Sequence, residues 1–214
     1  MNGMKLKTVL IDFDGTISDS VPVIFNTIDL ISKKYGIAVS RESIIEELRN
    51  IGIKAILKKH KISWYKLPFF LKDFRAEYRK EKPYQRIIKG IQPVILELKN
   101  LGFKLGLITS NGKANVLLFL KNNNLNVFDF IFSDIRVFGK ISIIKKFLRK
   151  NSFNPQEVIY LGDEIRDIEA AKRTGIKIIA VSWGLQSRQS LAKYNPDFLI
   201  DQPEEIIEIL KSFN

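Results

Sequence analysis

The chain contains no cysteine and only one histidine, His60, and these two shortages exclude several kinds of active site. Without cysteine there can be no disulfide, no thiolate nucleophile and no sulfur-based zinc site, and the absence fits a reducing compartment. One histidine cannot supply a metal site built from several histidines, and it lies far in sequence from the acidic motifs that a Ser-His-Asp triad would need. We therefore predict that His60 is a surface residue.

Long apolar runs are missing as well. Nowhere do 18 apolar residues follow one another, and the N-terminal stretch MNGMKLKTVLIDFD lacks the apolar region of a signal peptide. The sequence thus predicts a soluble, cytoplasmic protein, a monomer or homodimer, with no membrane partner. Its 214 residues, 45% hydrophobic and 27% charged, suit one large globular domain or a domain that carries a smaller insertion.

Short apolar runs of strand length recur along the chain, and they are apolar on both faces. This pattern is typical of a parallel sheet covered by helices on both sides, and helical patterns do lie between the runs. We predict an α/β fold with a Rossmann-like, doubly wound parallel sheet. The predicted strands are Thr8–Asp12, Lys104–Ser110, Phe128–Ser133, Val158–Asp163, Lys177–Val181 and Phe198–Ile200, and the predicted helices are Pro93–Asn100, Lys113–Asn122, Ile141–Lys150, Ile165–Thr174 and Pro203–Lys211.

Two boundaries of these helices carry their own signals. Gly175 directly follows one helical pattern, which indicates a glycine cap at the C-terminal end. Asp201 and Pro203 precede the last pattern, which predicts that the final helix begins there with an N-cap region and an early proline.

The alternation of strands and helices is interrupted between residues 20 and 84, where the sequence is helical and basic. We predict an α/β core formed by residues 1–19 and 85–214, with a helical cap, residues 20–84, inserted after the first strand. Asp19 and Ser20 are expected to form the hinge into it. Four aromatic residues at helical spacing are predicted to form its small core: Phe69, Phe70, Phe74 and Tyr78.

The stretch VLIDFDGTISDS places two carboxylates, Asp12 and Asp14, directly after a buried strand. Two such groups repel one another and resist burial unless a positive charge joins them. Open α/β sheets bind their ligands at the C-terminal ends of the strands, where this pair falls. Gly15 would let the backbone turn close to a phosphate. The stretch therefore indicates a cation and a reaction.

Polar groups also follow the other predicted strands, and parallel strands would bring all of them to one edge of the sheet. A carboxylate cluster without histidine or cysteine is a site of hard oxygen ligands, which is typical of Mg²⁺. One carboxylate could attack phosphorus, and a second could protonate the leaving oxygen. The candidates at the strand ends are Asp12, Asp14, Thr109, Ser110, Lys140, Asp163 and Asp167.

The segments DFDGT, ITSN, Lys140 and GDEIRD resemble the four ordered motifs of the haloacid dehalogenase (HAD) superfamily. DGTISDS followed by a helical insert resembles its phosphoglycolate-phosphatase-like branch, which has a C1 cap, and the resemblance runs from about Val9 to Ile200. It implies a Mg²⁺-dependent phosphatase that acts on a small anionic phosphorylated metabolite through an aspartyl-phosphate. Dehalogenases and phosphonatases of the superfamily lack an aspartate at the position matched by Asp14, so its presence argues for phosphate ester or anhydride chemistry. A phosphomutase of the same family is the alternative.

The resemblance also implies roles for individual residues. Asp12 would be the nucleophile and Asp14 the acid and base. Asp12, the Asp14 carbonyl and Asp163 would hold the metal, and Asp167 would support the metal shell. The phosphoryl group would be bound by Thr109, Ser110 and Lys140.

The segment around the third motif departs from the family. FGKISIIKK replaces the longer K-P-x-P segment of many phosphoglycolate phosphatases, which argues against phosphoglycolate as the substrate and leaves Lys145 and Lys146 as alternatives to Lys140. In LRNIGIKAIL a glycine interrupts the helical pattern between Arg49 and Lys54. We predict that these two cations select the substrate from the cap.

Positive charge is concentrated in the predicted insertion and suggests one alternative function. The net charge is +12, and the segment from Lys33 to Lys89 holds 16 Lys and Arg against six Asp and Glu. An anionic partner would meet this segment first. Aromatic and basic residues alternate in WYKLPFFLKDFRAEYRK, as in nucleic-acid-binding surfaces. No recognised nucleic-acid-binding motif is present, however, which argues against nucleic acid as the partner.

Overall fold

The computed structural model describes residues 5–35, 40–59, 67–81, 85–133 and 139–213, so His60 lies outside the described residues. Strands and helices alternate along most of the chain. In order, they are β1 (Thr8–Asp12), β2 (Ser18–Asp19), α1 (Val21–Lys34), α2 (Arg41–Lys59), α3 (Leu67–Glu81), β3 (Arg86–Ile87), α4 (Ile91–Asn100), β4 (Lys104–Ile108), α5 (Lys113–Asn122), β5 (Phe130–Phe132), α6 (Lys140–Lys150), β6 (Val158–Gly162), α7 (Ile165–Thr174), β7 (Lys177–Val181), α8 (Arg188–Ala192), β8 (Phe198–Ile200) and α9 (Glu205–Lys211).

Six strands form one sheet in the order β5-β4-β1-β6-β7-β8, and every neighbouring pair is parallel. β1 and β6 are buried along their whole length, as the continuous apolar runs predicted. The predicted α/β fold with a doubly wound parallel sheet is therefore confirmed. Three of the predicted strands extend past the observed ones, which end at Ile108, Phe132 and Gly162.

Helices cover both faces of this sheet, and successive residues of a strand enter different cores. Ile11 of β1 lies in a core shared with α4, α5 and α9, whereas the preceding Leu10 lies in a core with α6, α7 and α8. Both side chains are fully buried. Burial of a side chain of this size contributes about 1.5–3 kcal/mol, so the two cores fix β1, the central strand that ends in Asp12.

Most helix boundaries lie close to the predicted ones. α4 begins two residues earlier than predicted because Gly90, with φ +86°, turns the chain into it. α6 begins one residue earlier, at Lys140. Gly175 caps α7 with φ +74°, as predicted. α8 was not predicted, since five residues show too little periodicity.

The predicted start of the last helix was wrong. α9 begins at Glu205, and Asp201 lies outside it. The Glu205 carboxylate reaches back and accepts from the N–H groups of Asp201 and Gln202, at 2.9 and 2.8 Å. This contact turns the backbone before the helix starts.

Three helices, α1 to α3, lie between β2 and β3; we call them the helical segment. β2 and β3 pair as a short antiparallel ribbon, so the chain enters and leaves the segment side by side. A small apolar cluster ties the segment together and includes Leu185 from the loop after β7. Its members are Val21, Phe25, Ile28 and Leu48, with Ile24, Ile45, Phe74 and Leu185 packed against them.

The predicted aromatic core of the segment is right in three positions and wrong in one. Phe70 and Tyr78 are buried, and Phe74 packs against the apolar cluster. Phe69 is 64% exposed, because α3 turns this position away from the other helices. Across the described part of the chain, no helix is both long and apolar enough to span a bilayer.

Candidate active site

The parallel sheet places the C-terminal ends of β1, β4 and β6 side by side. β1 lies between the other two strands, with Asp12 level with Ile108 of β4 and Ile11 level with Leu161 of β6. The residues that follow these strands therefore meet at one edge of the sheet. Among them are Asp12, Thr109 and Asp163.

Three carboxylates meet at this edge. Asp12, Asp163 and Asp167 are buried, and one oxygen from each lies within 4.8 Å of the others. Burial raises the pKa of Asp12 to about 7, although the Lys140 ammonium lowers it. Burial, followed by the charges of Glu164 and Asp12, raises the pKa of Asp163 well above its usual range. The cluster thus resists holding its full negative charge without additional cations.

Lys140, the first residue of α6, provides one positive charge within this cluster. Its Nζ lies 2.6 Å from Oδ2 of Asp12 and 2.5 Å from Oδ1 of Asp167. Burial alone would lower the pKa of Lys140, but the charges of Asp12 and Asp167 raise it well above its usual range. The alternatives Lys145 and Lys146 lie on the exposed face of the same helix. Of the three lysines, only Lys140 reaches the carboxylates.

The backbone is shaped around Asp163. Its Oδ1 accepts from the Thr16 hydroxyl at 3.1 Å, and its Oδ2 accepts from the Leu185 N–H at 2.7 Å. A Cβ on Gly15, where φ is +76°, would lie 2.1 Å from Asp163 Oδ2, and one on Gly184 would lie 2.2 Å from Asp163 Cβ. The two glycines therefore let the chain close on both sides of this carboxylate.

The donor set fits Mg²⁺. The available ligands are the carboxylate oxygens of three buried aspartates, which suit a hard divalent ion. Burial, together with the neighbouring carboxylates, raises the pKa values of Asp12 and Asp163, and a divalent ion would stabilise their ionised forms. The glycine cradle around Asp163 also holds that carboxylate in a fixed orientation.

Asp14 lies outside the carboxylate cluster and has different partners. The Tyr78 hydroxyl donates to its Oδ1 at 2.7 Å. The Asn111 amide donates to Oδ2 at 2.9 Å and reaches Oδ1 at 3.2 Å. Burial and the Asp14 carboxylate raise the pKa of Tyr78 well above its usual range, so this hydroxyl keeps its proton. Asp14 is only half-buried and remains open to a substrate.

The two predicted phosphate-binding residues after β4 differ in their surroundings. Thr109 is buried, its N–H donates to the Phe132 carbonyl at 2.8 Å, and its hydroxyl accepts from the Asn111 N–H at 3.0 Å. Ser110 is exposed. Thr109 thus belongs to the fixed edge of the sheet, and Ser110 faces solvent above it.

The two cations predicted to select the substrate lie on α2. The Arg49 carbonyl accepts from the Ser187 N–H at 2.9 Å, which fixes this part of α2 against the loop before α8. The Arg49 side chain is half-buried. The side chain of Lys54 lies outside the described residues, so its prediction is not tested.

Two residues at this site were missed as partners of Asp14. Asn111 belongs to the ITSN motif, which was a usable signal, but no role at the site was predicted for it. Tyr78 was predicted as a core residue of the insertion, from its helical spacing. Its contact with Asp14 spans 64 residues and a whole helical segment, which no local pattern reveals.

The fold and the carboxylate edge define a class of enzyme. The chain belongs to the haloacid dehalogenase-like hydrolase family, whose model matches residues 9–181. This finding confirms the superfamily that the four motifs predicted. It also bears out the predicted class of enzyme, a phosphatase of that superfamily, since curated relatives carry phosphatase names.

Individual relatives match over nearly the full chain. A phosphoglycolate phosphatase of Synechococcus elongatus is 26% identical over 204 residues, which cover 95% of this chain and 96% of the relative. Pyrophosphatase PpaX of Bacillus mycoides is 28% identical over 224 residues, covering 99% of this chain and 100% of the relative. Among solved structures, a haloacid dehalogenase-like hydrolase from Streptococcus pneumoniae matches with a TM-score of 0.77 at 21% identity, covering 95% of this chain and 98% of that one.

Proposed function

We propose that this protein is a Mg²⁺-dependent phosphatase that hydrolyses a small, soluble phosphorylated metabolite through an aspartyl-phosphate on Asp12. The observation that carries the proposal is the separation of two neighbouring carboxylates. Asp12 lies in the buried cluster with Lys140, and Asp14 faces the open side with neutral hydrogen-bond donors. Two carboxylates in unlike surroundings can divide the roles of nucleophile and proton carrier.

Asp12 is proposed as the nucleophile. Its Oδ1 accepts from the Phe13 N–H at 2.9 Å and its Oδ2 from Lys140, which fixes the plane of the carboxylate. In the first step an Asp12 oxygen bonds to phosphorus, the ester P–O bond breaks, and Asp14 gives a proton to the leaving oxygen. In the second step Asp14 takes a proton from water as that water attacks phosphorus, which releases phosphate and restores Asp12.

The remaining residues are proposed to bind and neutralise charge. Asp12, the main-chain carbonyl of Asp14 and Asp163 would hold Mg²⁺, with Asp167 supporting them. The ion, when bound, would neutralise charge on the phosphoryl group. Lys140, Thr109 and Ser110 would bind the phosphoryl oxygens, and the Lys140 ammonium already faces the attacking carboxylate.

We further propose that residues 1–19 and 85–214 form the catalytic core and that residues 20–84 act as a cap. Contacts of the helical segment with the core include Tyr78 with Asp14, Asn50 with Ser187 and Ser190, and Leu185 in the apolar cluster. Such a cap would exclude water while the aspartyl-phosphate forms. Arg49 and Lys54 would contact the substrate from α2.

The substrate is proposed to be a small phosphorylated anion. The names of the two curated relatives, phosphoglycolate phosphatase and pyrophosphatase PpaX, share one chemistry: a phosphoryl group bonded to a fragment that carries a second anionic group. Cations on α2 would match that second group. A phosphomutase would use the same nucleophile, and the two reactions differ in whether water or a sugar phosphate accepts the phosphoryl group.

The experiment is a phosphate-release screen over a panel of phosphorylated metabolites and pyrophosphate, with Mg²⁺ or with EDTA. The wild type should release phosphate only with the metal, and Asp12→Asn should lose at least about a thousandfold in kcat while its unfolding temperature stays close to that of the wild type. Asp29→Asn, which alters an aspartate paired with Lys33 on the exposed face of α1, is the matched control and should keep full activity. Full activity of Asp12→Asn would refute the assignment of the nucleophile, and turnover that requires a sugar bisphosphate would indicate the mutase.

A further inference from the structure

Tyr78 is a buried tyrosine whose hydroxyl touches the proposed proton carrier. It lies near the end of α3, and its Oη is 2.7 Å from Asp14 Oδ1. A residue needed only for packing at this position could be phenylalanine, since a buried hydroxyl costs free energy unless it is hydrogen-bonded. The hydroxyl therefore calls for an explanation beyond the apolar core of the helical segment.

The Tyr78 hydroxyl is itself held by a chain of hydrogen bonds with one direction. The Ser18 hydroxyl donates to Gln85 Oε1 at 2.9 Å, and the Gln85 amide donates to Tyr78 Oη at 2.8 Å. The oxygen of Tyr78 accepts from Gln85, and its O–H donates to Asp14. Ser18 lies on β2, and Gln85 directly precedes β3, so the chain starts at the ribbon that joins the helical segment to the sheet.

The ring of Tyr78 is fixed as well. Phe74, one turn earlier on α3, stacks against it with ring centroids 5.6 Å apart and an angle of 14° between the planes. Tyr78 is only 7% exposed, which leaves its side chain little freedom to leave the Asp14 carboxylate. The contact is therefore a defined arrangement of ring, hydroxyl and carboxylate.

We propose that Tyr78 is a positioning residue that orients the Asp14 carboxyl for proton transfer to the leaving oxygen. The inference rests on the proposed role of Asp14 as acid and base. Because Tyr78 is carried by α3, its hydrogen bond to Asp14 forms only when the helical segment lies against the sheet, whereas Asn111 donates to Asp14 from outside the segment. Proton transfer is thereby linked to the position of the segment, whereas the environment of Asp12 is built from residues outside it.

The test compares phenyl phosphates whose leaving groups differ in acidity. A p-nitrophenolate leaves with little help, whereas unsubstituted phenolate needs a proton as its P–O bond breaks. If Tyr78 positions Asp14, Tyr78→Phe should lower kcat/KM about threefold for p-nitrophenyl phosphate and about thirtyfold for phenyl phosphate, so the loss grows as the leaving group becomes more basic. The loss should be the same for all esters if Tyr78 acts only in packing, and that result would overturn the proposal.

Tyr35→Phe is the matched control. It removes a tyrosine hydroxyl that donates to another aspartate, Asp73 at 2.9 Å, in the same helical segment but away from the carboxylate edge. This variant should change kcat/KM less than about twofold across the series. Thermal unfolding of both variants measures any loss of stability separately, and a control that reproduces the Tyr78→Phe pattern would also refute the proposal.

Two more variants separate this inference from the proposed function. Asp14→Asn should show the steepest dependence on the leaving group, and an unchanged rate there would refute the role of Asp14 itself. If Asp14→Asn shows that dependence and Tyr78→Phe does not, only the inference about Tyr78 fails. Gln85→Leu should lower kcat/KM with the same dependence on the leaving group as Tyr78→Phe, but less strongly. The double variant should lose no more activity than Tyr78→Phe alone, because both substitutions act through the hydrogen bond between Tyr78 and Asp14. Additive losses would contradict the chain of hydrogen bonds.

Discussion

Asp12 and Asp14 lie two residues apart, yet two different regions of the molecule surround them. Asp12 is held by the sheet and the helices beside it, through the Phe13 N–H and Lys140. Asp14 is held partly by the helical segment, through Tyr78. The first environment comes from the parallel sheet and the helices that flank it, and the second depends on how the helical segment packs against the sheet. The comparison teaches that two neighbouring carboxylates can have unlike supports: a fixed half, held outside the helical segment, and a half that the helical segment completes.

The largest expected effect concerns the fixed half. Lys140→Met leaves the buried carboxylates of Asp12 and Asp167 without their ammonium partner, which we expect to cost about 3–5 kcal/mol in the free energy of unfolding. Denaturant unfolding measures this loss, and added Mg²⁺ should restore part of it by occupying the same cluster. Lys145→Met on the exposed face of α6 is the control and should stay within about 0.5 kcal/mol of the wild type. Equal stability of the two variants would show that the lysine does not hold the cluster together.

The next effect tests the backbone around Asp163. Gly15→Ala introduces a side chain at φ +76° and places a Cβ 2.1 Å from Asp163 Oδ2, so the carboxylate must move. Calorimetric titration should show Mg²⁺ affinity weakened about tenfold to a hundredfold.

Gly102→Ala provides a matched control for that prediction. Its φ is +86°, but nothing lies within 4 Å of the added Cβ, so it carries the backbone strain of about 1 kcal/mol without the clash. Mg²⁺ affinity should be unchanged there. A loss of affinity in both variants would mean that general strain, not the displacement of Asp163, is responsible.

The smallest effect compares one surface ion pair from each region. Burial alone would raise the pKa of Asp129, but hydrogen bonds from Lys99 and the Leu105 N–H lower it overall. In the helical segment, hydrogen bonds from Lys34 and Tyr35 lower the pKa of Asp73. A carboxyl with a lowered pKa in the folded state adds stability above the pKa of the unfolded chain, about 3.9, and this is lost as the pH falls through the folded value.

Asp129→Asn should therefore destabilise the protein at pH 7 by up to about 1 kcal/mol, and the difference from the wild type should begin to shrink below about pH 4 and vanish once the pH lies below the lowered pKa of the folded state. Urea unfolding at pH 7 and at a series of acidic pH values measures this loss. Asp73→Asn should show the same direction of pH dependence. A difference that persists at low pH would mean that packing, and not charge, accounts for the effect.

The sequence predicted the sheet well because its strands are covered on both faces and are therefore continuous apolar runs. It placed Asp12 and Asp163 at strand ends for the same reason, and the structure brings them together with Asp167 and Lys140. The start of α9 was misplaced because a side chain of the helix itself, Glu205, bonds the turn before it. Such a contact leaves no periodic signal.

The sequence pattern could not predict the hydrogen-bond partners of the Asp14 side chain. The helical spacing assigned Tyr78 to the apolar core, and that prediction is right for its ring. The spacing did not predict the hydrogen bond from its hydroxyl to Asp14. The direction of a single O–H bond depends on Gln85 and Ser18, which come from opposite ends of the helical segment. Only the folded arrangement shows that these positions meet.

Leu185 belongs to both regions at once. Its main-chain N–H holds Asp163, and its side chain packs into the apolar cluster of the helical segment. Leu185 therefore connects the carboxylate of Asp163 to three packed helices, and any free-energy coupling that it transmits between them must be reciprocal. A change in the packing of the helices would then alter the position of the Asp163 carboxylate, and a change at that carboxylate would alter the packing of the helices.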